Sequence, residues 1–316
     1  TVLARAFQAI GAEVVVLDRA GIGAGASGVQ PGGVRQQWGT RIACRLARES
    51  VAFWRDADSR LQSRVPLTLS HGGYLFVAHS APTLERLAAN VRLQNDEGIP
   101  SRVVTPAEAE ALAPGLAAGE LAGAAWCAED GYFDRPQAVV EAFAQGIEVH
   151  RLDVAALTRS SGAWVLEAAD GPAVRARSVV VAAGVETRGL LAPLGFDVPL
   201  TPEDRYLFLS DPIRERLLEP LVVAPELAFA AKQLADGRVL ASDLAARGDA
   251  DTGRAGWRAR IRVGVERLLP LLEHVSFSLL VPGVYDVTPD HQPVLGPVGD
   301  EGLFVACGFS GHGFMI

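Results

Sequence analysis

YDVTPDHQPVLGPVGDEGLFVACGFSGHGFMI, residues 285–316, is the stretch on which the reading of this chain turns. Its apolar run LFVACG opens into a loop carrying Gly308, Gly311 and Gly313. That is the pattern of a buried strand ending where backbone N–H groups must approach a ligand that side chains would hold off. A helix after such a loop aims its positive end at the same place, and Met315 and Ile316 read as its first residues. Upstream, Thr288, Pro289 and Asp290 predict a turn, and Pro293 and Gly296 keep the backbone tight.

The opposite end carries a matching pattern. TVLARAFQAIG is apolar at Val2, Leu3, Ala6 and Ile10, a helical spacing closed by Gly11, and EVVVLD at 13–18 is a β-branched run suited to a buried parallel strand. Asp18 ends that strand, and AGIGAGASGVQPGG follows, with Gly21, Gly23, Gly25 and Gly28 around Ser27, then Gly32 and Gly33. So many glycines suit backbone packed against phosphate and sugar-alcohol groups better than a core. In a dinucleotide fold the order is strand, glycine fingerprint, helix, strand, then an acid about 20 residues past the glycines. Counting back from Asp18 puts the last fingerprint glycine just before Thr1. The first strand is therefore expected to be missing from this sequence, and the helix begun at Met315 is expected to run past its other end.

Between these ends, 40–61 predicts one long amphipathic helix, GGYLFVAH an alternating strand, 81–97 a helix, TPAEAEALAPG a short helix and 135–145 another. RSVVVAAG at 177–184 is a second buried strand ending in glycine, where the nucleotide-binding pattern resumes. From Pro199 to about Pro282 the pattern reads as hairpins with a polar interruption near 246–256. The fold class is thus α/β, a Rossmann-like domain lacking its first strand combined with a discontinuous α+β domain. The expected division is 1–64, 131–189 and 283–316 for the first, and 65–130 and 190–282 for the second.

Composition narrows the function. The chain has 316 residues, 49% of them hydrophobic, and a net charge of -8. Lys232 is its only lysine and the arginines form no run, which argues against nucleic acid or an anionic membrane as partner. No apolar stretch reaches the roughly 18–20 residues of a membrane span. Cys44, Cys127 and Cys307 lie far apart, a spacing that predicts neither a disulfide framework nor a metal site and suits a reducing cytoplasm.

The glycine loop at 21–33 and the block at 285–316 together resemble the D-amino-acid oxidase / sarcosine oxidase superfamily of FAD-dependent oxidoreductases, in its β-subunit type, along almost the whole chain. The resemblance implies a cofactor site in which Asp18 and Arg19 meet the adenosine ribose and Gly25, Ala26, Ser27, Gly32 and Gly33 line the flavin. Val154 would pack on adenine, with Ala182, Ala183 and Gly184 beside the ADP moiety. Asp290 and the loop Gly308, Phe309, Ser310, Gly311, His312, Gly313 and Phe314 would lie at the flavin ring. These segments are expected to surround one cleft with Asp18 at one end and Gly311 at the other. Gly283 stands where some relatives carry a flavin-attaching Cys, and no His lies at 20–40, so the FAD is expected to be non-covalent. GRVLAS lacks the lysine that some oxidases carry on that strand, and Lys232 falls one strand earlier.

By the same resemblance the chain oxidises the amine of an amino acid or N-methyl amino acid, sarcosine-, proline- or glycine-like, to an imine. The candidate catalytic residues are Arg35, Tyr285 and His312. For Arg35 the alternatives are charge stabilisation on the flavin, a carboxylate clamp, or an ordinary surface ion pair; Tyr285 reads equally as a substrate contact or a buried phenol. The amine site is expected between 35–38 and 285–290, under the strands of the second domain. The electron acceptor is O2 or a partner redox subunit. Two alternatives stand beside this: an H2O2-producing amino-acid oxidase, and a non-catalytic or incomplete flavoprotein-like subunit.

Overall fold

Eight strands drawn from the middle of the chain form the largest sheet, in the order Phe277–Val287, Thr201–Ser210, Val239–Asp243, Phe229–Gln233, Leu221–Ala224, Tyr74–Ala78, Gly123–Cys127, Arg102–Val104. The structure is a computed structural model describing residues 1–299 and 302–316. All neighbours in this sheet pair antiparallel except Leu221–Ala224 with Tyr74–Ala78. Alternation along Thr201–Ser210 sorts its faces: Tyr206, Phe208 and Ser210 are buried, whereas Arg205, Leu207 and Leu209 are half-buried.

The buried face is covered by the helix Ala250–Leu268, whose Trp257, Ile261, Val265 and Leu268 recur at helical spacing and pack with Phe208 and Phe229. Each such side chain contributes about 1.5–3 kcal/mol when fully buried. This 19-residue helix corrects the expectation of hairpins throughout 199–282. Gly253, Gly256 and Gly264 weaken its sequence signal, yet a Cβ on Gly264 would lie 2.6 Å from Phe229, so close helix–sheet contact demands glycine there. Asp249 caps it by accepting from the Thr252 N–H at 3.0 Å.

Smaller sheets carry the ends of the chain. Val16–Asp18 pairs parallel with Val149–Arg151, and Val179–Val181 pairs parallel with Leu303–Cys307. EVVVLD was expected to be buried throughout, but its strand is three residues long and half-buried to exposed, because Val149–Arg151 is its one partner among the described residues. The helix expected over 40–61 is two helices, Arg41–Trp54 and Ala57–Leu61, broken where buried Trp54 packs against Phe143 and Phe314. Tyr74–Ala78 does not alternate with solvent; four of its residues are buried, as suits a central strand. The Met315 and Ile316 N–H groups both donate to the His312 carbonyl, at 3.0 and 3.2 Å. The strand Phe277–Val287 runs unbroken through 282–283. Among the described residues, no helix is long and apolar enough to cross a membrane.

Candidate active site

At the carboxyl end of Val16–Asp18, the exposed Asp18 accepts the N–H groups of Ala20 and Gly21 at 2.9 and 2.7 Å. One of its oxygens therefore shapes the turn into the glycine loop. Arg19 reaches Glu186 at 2.5 Å, tying this strand end to the loop after Val179–Val181 where Ala182, Ala183 and Gly184 lie. Val154 sits apart from them in sheet terms, opening the strand Val154–Ser160 of a three-stranded antiparallel sheet.

The loop at 21–33 folds on itself. A Cβ on Gly28 would meet the Gly23 carbonyl at 1.8 Å, so the loop closes only with glycine. Gly25 borders open space and caps the short helix Ala26–Val29, where Ala26 and Ser27 are exposed. Gly32 and Gly33 instead press against protein, Gly32 on the Phe133 carbonyl and Gly33 on the Tyr74 hydroxyl. Gln30 Nε2 is buried and has no hydrogen-bond partner among the described residues. It borders a cavity of about 30 Å³ together with Ala26, Arg205, Gly283 and Tyr285.

The C-terminal loop is held by Asp286, whose Oδ2 accepts the Gly308 N–H at 2.7 Å and whose carbonyl accepts the Ser310 N–H at 3.1 Å. The His312 N–H goes to the Phe309 carbonyl at 2.8 Å. Gly311 has φ +86°, and a Cβ there would lie 2.3 Å from the Tyr285 ring. Its lack of a side chain admits Tyr285. Gly313 lies close on Phe309, and Phe314 stacks on Trp54. Asp290 is exposed and bonds the Gln292 N–H at 3.0 Å.

Arg35 and Tyr285 lie close enough to influence each other's charge. The Arg35 guanidinium lies 3.4 Å over the Trp38 ring and 5.4 Å from Phe76, and donates to the Gln37 carbonyl at 2.5 Å. It makes no salt bridge among the described residues, so the surface ion pair among its possible readings is set aside. Burial pushes its affinity for the proton down, an effect opposed chiefly by Tyr74, Asp130 and Tyr285. Arg205 stands 4.8 Å over the Tyr285 ring. Burial raises the Tyr285 pKa against the pull of Arg205, Arg35 and Arg247, keeping it a neutral hydrogen-bonding phenol. His312 meets the edge of Trp38 at 4.1 Å, and burial, Arg35 and His291 push it down to about 4, so it is neutral above that pH. Beyond Trp38 and His312 opens a cleft of about 320 Å³, which Asp290 and His291 also line.

Sequence reasoning had not singled out Tyr74, Phe76, Asp130 or Gln30. Strand register places Phe76, Val223 and Ala230 side by side on the half-buried sheet face, giving Arg35 an apolar neighbour. Lys232, on Phe229–Gln233, is fully buried, with Nζ 4.0 Å over the Tyr132 ring and without a hydrogen-bond partner among the described residues. Burial lowers it from 10.5 to about 7, Asp134 opposing and Arg216 assisting. Its folded value lies below its unfolded one, so stability should rise with pH across that window, the cost of the buried charge being full below it. Lys232→Met is therefore expected to stabilise the protein by roughly 2 kcal/mol or more near pH 6, with the gain shrinking toward pH 10. Urea unfolding at the two pH values checks this; a gain independent of pH would contradict it.

Comparison with known proteins bears on this geometry. A D-amino acid dehydrogenase of Xylella fastidiosa (strain 9a5c) is 28% identical over 277 residues, which are 83% of this chain and 62% of the relative. The chain thus spans less than two thirds of that relative's length. Two crystal structures share the fold: L-proline dehydrogenase from P. horikoshii, with TM-score 0.90 at 22% identity over 99% of this chain and 86% of that one, and glycine oxidase from Geobacillus kaustophilus, with TM-score 0.88 at 22% identity over 99% and 87%. The family model for FAD dependent oxidoreductases, DAO, matches residues 2–316, and the chain belongs to that family.

Proposed function

We propose that this chain, with FAD bound non-covalently, oxidises the CH–NH bond of an amino acid or N-methyl amino acid to the imine. The observation that carries the reading is the half-buried Arg35 guanidinium, without a salt bridge among the described residues and within electrostatic reach of Tyr285. A guanidinium not engaged in a salt bridge is suited to a substrate carboxylate, which it grips through two parallel N–H bonds.

The residues present fit the cofactor. Gly25 and Gly184 border open space, the second at φ +57°, so backbone there is free to approach a ligand. Gln30 Nε2 is an orphaned donor, in keeping with an acceptor-rich ring edge. Asp18 and Arg19 would hold the adenosine end, with Val154, Ala182 and Ala183 near it, and Gly25, Ala26, Ser27, Gly32 and Gly33 the middle. The N–H groups of Gly308, Ser310 and His312 are spent inside the protein, which leaves those of Phe309, Gly311, Gly313 and Phe314 for the ring.

When bound, FAD supplies the two-electron acceptor. The protein's share is orientation and electrostatics. Arg35 clamps the carboxylate, the Tyr285 hydroxyl hydrogen-bonds the carboxylate or amine, and Phe76 and Val223 shield the side chain from water. The division into FAD and substrate domains is proposed as stated from the sequence, except that the whole strand Phe277–Val287 goes with the eight-stranded sheet of the substrate unit. A redox partner rather than O2 is proposed as acceptor, because Val239–Asp243 carries no lysine. Dye-linked turnover of an amino-acid panel by the FAD-loaded protein, with the imine or its carbonyl hydrolysis product detected, tests the reading. Dye reduction by none of the panel would sink it, and rapid reduction of O2 would favour the oxidase.

A further inference from the structure

We propose that Asp130 is a positioning residue that holds the segment 35–38 so that the Arg35 guanidinium meets the substrate carboxylate. The proposal rests on the reading of Arg35 as the carboxylate clamp. Arg35, Gln36, Gln37 and Trp38 follow the two-residue strand Gly33–Val34 and belong to no helix or strand themselves. No ladder fixes them. The Asp130 carboxylate does: Oδ1 accepts the Gln36 N–H at 2.7 Å and Oδ2 accepts Gln37 Nε2 at 3.0 Å. Gln37 Nε2 also donates to the Tyr74 carbonyl at 3.0 Å, and the Asp130 carbonyl accepts the Gly73 N–H at 3.2 Å. One carboxylate thus links the clamp segment to the sheet face carrying Tyr74 and Phe76.

Asp130 is 0% exposed and forms no salt bridge among the described residues. A buried carboxylate without an ion pair is costly, and hydrogen-bonded groups that accept its charge are what sustain it. The titratable or charged groups facing it are Arg35 from the clamp segment, Tyr74 from Tyr74–Ala78 and Cys127 from Gly123–Cys127, with Glu129 adjacent in the chain. Burial raises Asp130 from 3.8 to about 6, while the bonds from Gln37 and Gln36 and the charge of Arg35 pull it down. Above pH 6 it accepts on both oxygens; below, it carries a proton and the grip on 35–38 slackens.

The FAD-loaded protein tests this in two ways. Asp130→Asn is expected to raise KM for a carboxylate-bearing amine about tenfold with kcat little changed, and to remove the fall in kcat/KM below pH 6. Tighter substrate binding in the variant would show Asp130 to be a mere counter-charge and overturn the proposal, as would an unchanged KM. The second readout needs no turnover and no variant of Asp130. The near-ultraviolet circular dichroism of Trp38, obtained by subtracting Trp38→Phe, should titrate near pH 6 as Arg35 leaves the ring, and Gln37→Leu should shift that midpoint. A signal flat from pH 5 to 8 overturns the proposal. Should no amino acid be turned over, the amine reading fails, and the Trp38 titration still decides the role of Asp130.

Discussion

Gly311→Val is expected to cost about 3 kcal/mol of stability and to strip the protein of flavin. Two effects add. At φ +86° a residue with a Cβ costs roughly 1–2 kcal/mol, and more when it is β-branched. The new Cβ would also lie 2.3 Å from one Tyr285 ring carbon and 2.6 Å from another, an overpacking of about 1–3 kcal/mol. The ring has Arg205 on one side, so it yields only by moving into the space beside the 26–31 loop. The urea midpoint should fall at unchanged slope, and visible absorbance per chain should be lost. A variant of native midpoint and full flavin content would mean that Gly311 is not packed against Tyr285.

Arg35→Ala acts on binding instead of folding. Removing one member of a buried carboxylate–guanidinium contact costs about 2–5 kcal/mol, so kcat/KM for an amino acid should fall on the order of 10²-fold or more. Flavin content should be unchanged. The same amine lacking its carboxylate should lose little, which separates a lost clamp from general damage. Arg35→Lys should recover part of the loss, since an ammonium keeps the charge without the fork. If Arg35→Ala leaves turnover intact, the clamp lies elsewhere, Arg205 and Tyr285 being the next candidates.

How far the sequence reached depends on how local each feature is. The strands Val179–Val181 and Leu303–Cys307 and the loops after them were legible because apolar runs and glycines are adjacent in the chain. The helix Ala250–Leu268 was not, because glycines chosen for contact with Phe229 and Trp257 look like loop residues when their neighbours are unknown. Gly311 illustrates the same ambiguity: its spacing suggests a ligand, and the structure fills its missing side chain with the Tyr285 ring. Asp130 is 94 residues from Gln36, and no local pattern marks a carboxylate in AEDGYF as the anchor of a distant segment. Its one signal is a charge beside buried Tyr132 and Phe133. Phe76 likewise enters the site only through strand register.

Anaerobic addition of amino acids to the FAD-loaded protein, followed through the visible flavin band, tests the central claim most directly. Reduction by the electrons of a CH–NH bond should bleach the band for at least one amino acid or N-methyl amino acid. The bleaching should be slower by on the order of 10²-fold for the matching amine without its carboxylate, as the Arg35 clamp requires. A band that no amino acid bleaches, or that the amine without a carboxylate bleaches equally fast, would contradict the account.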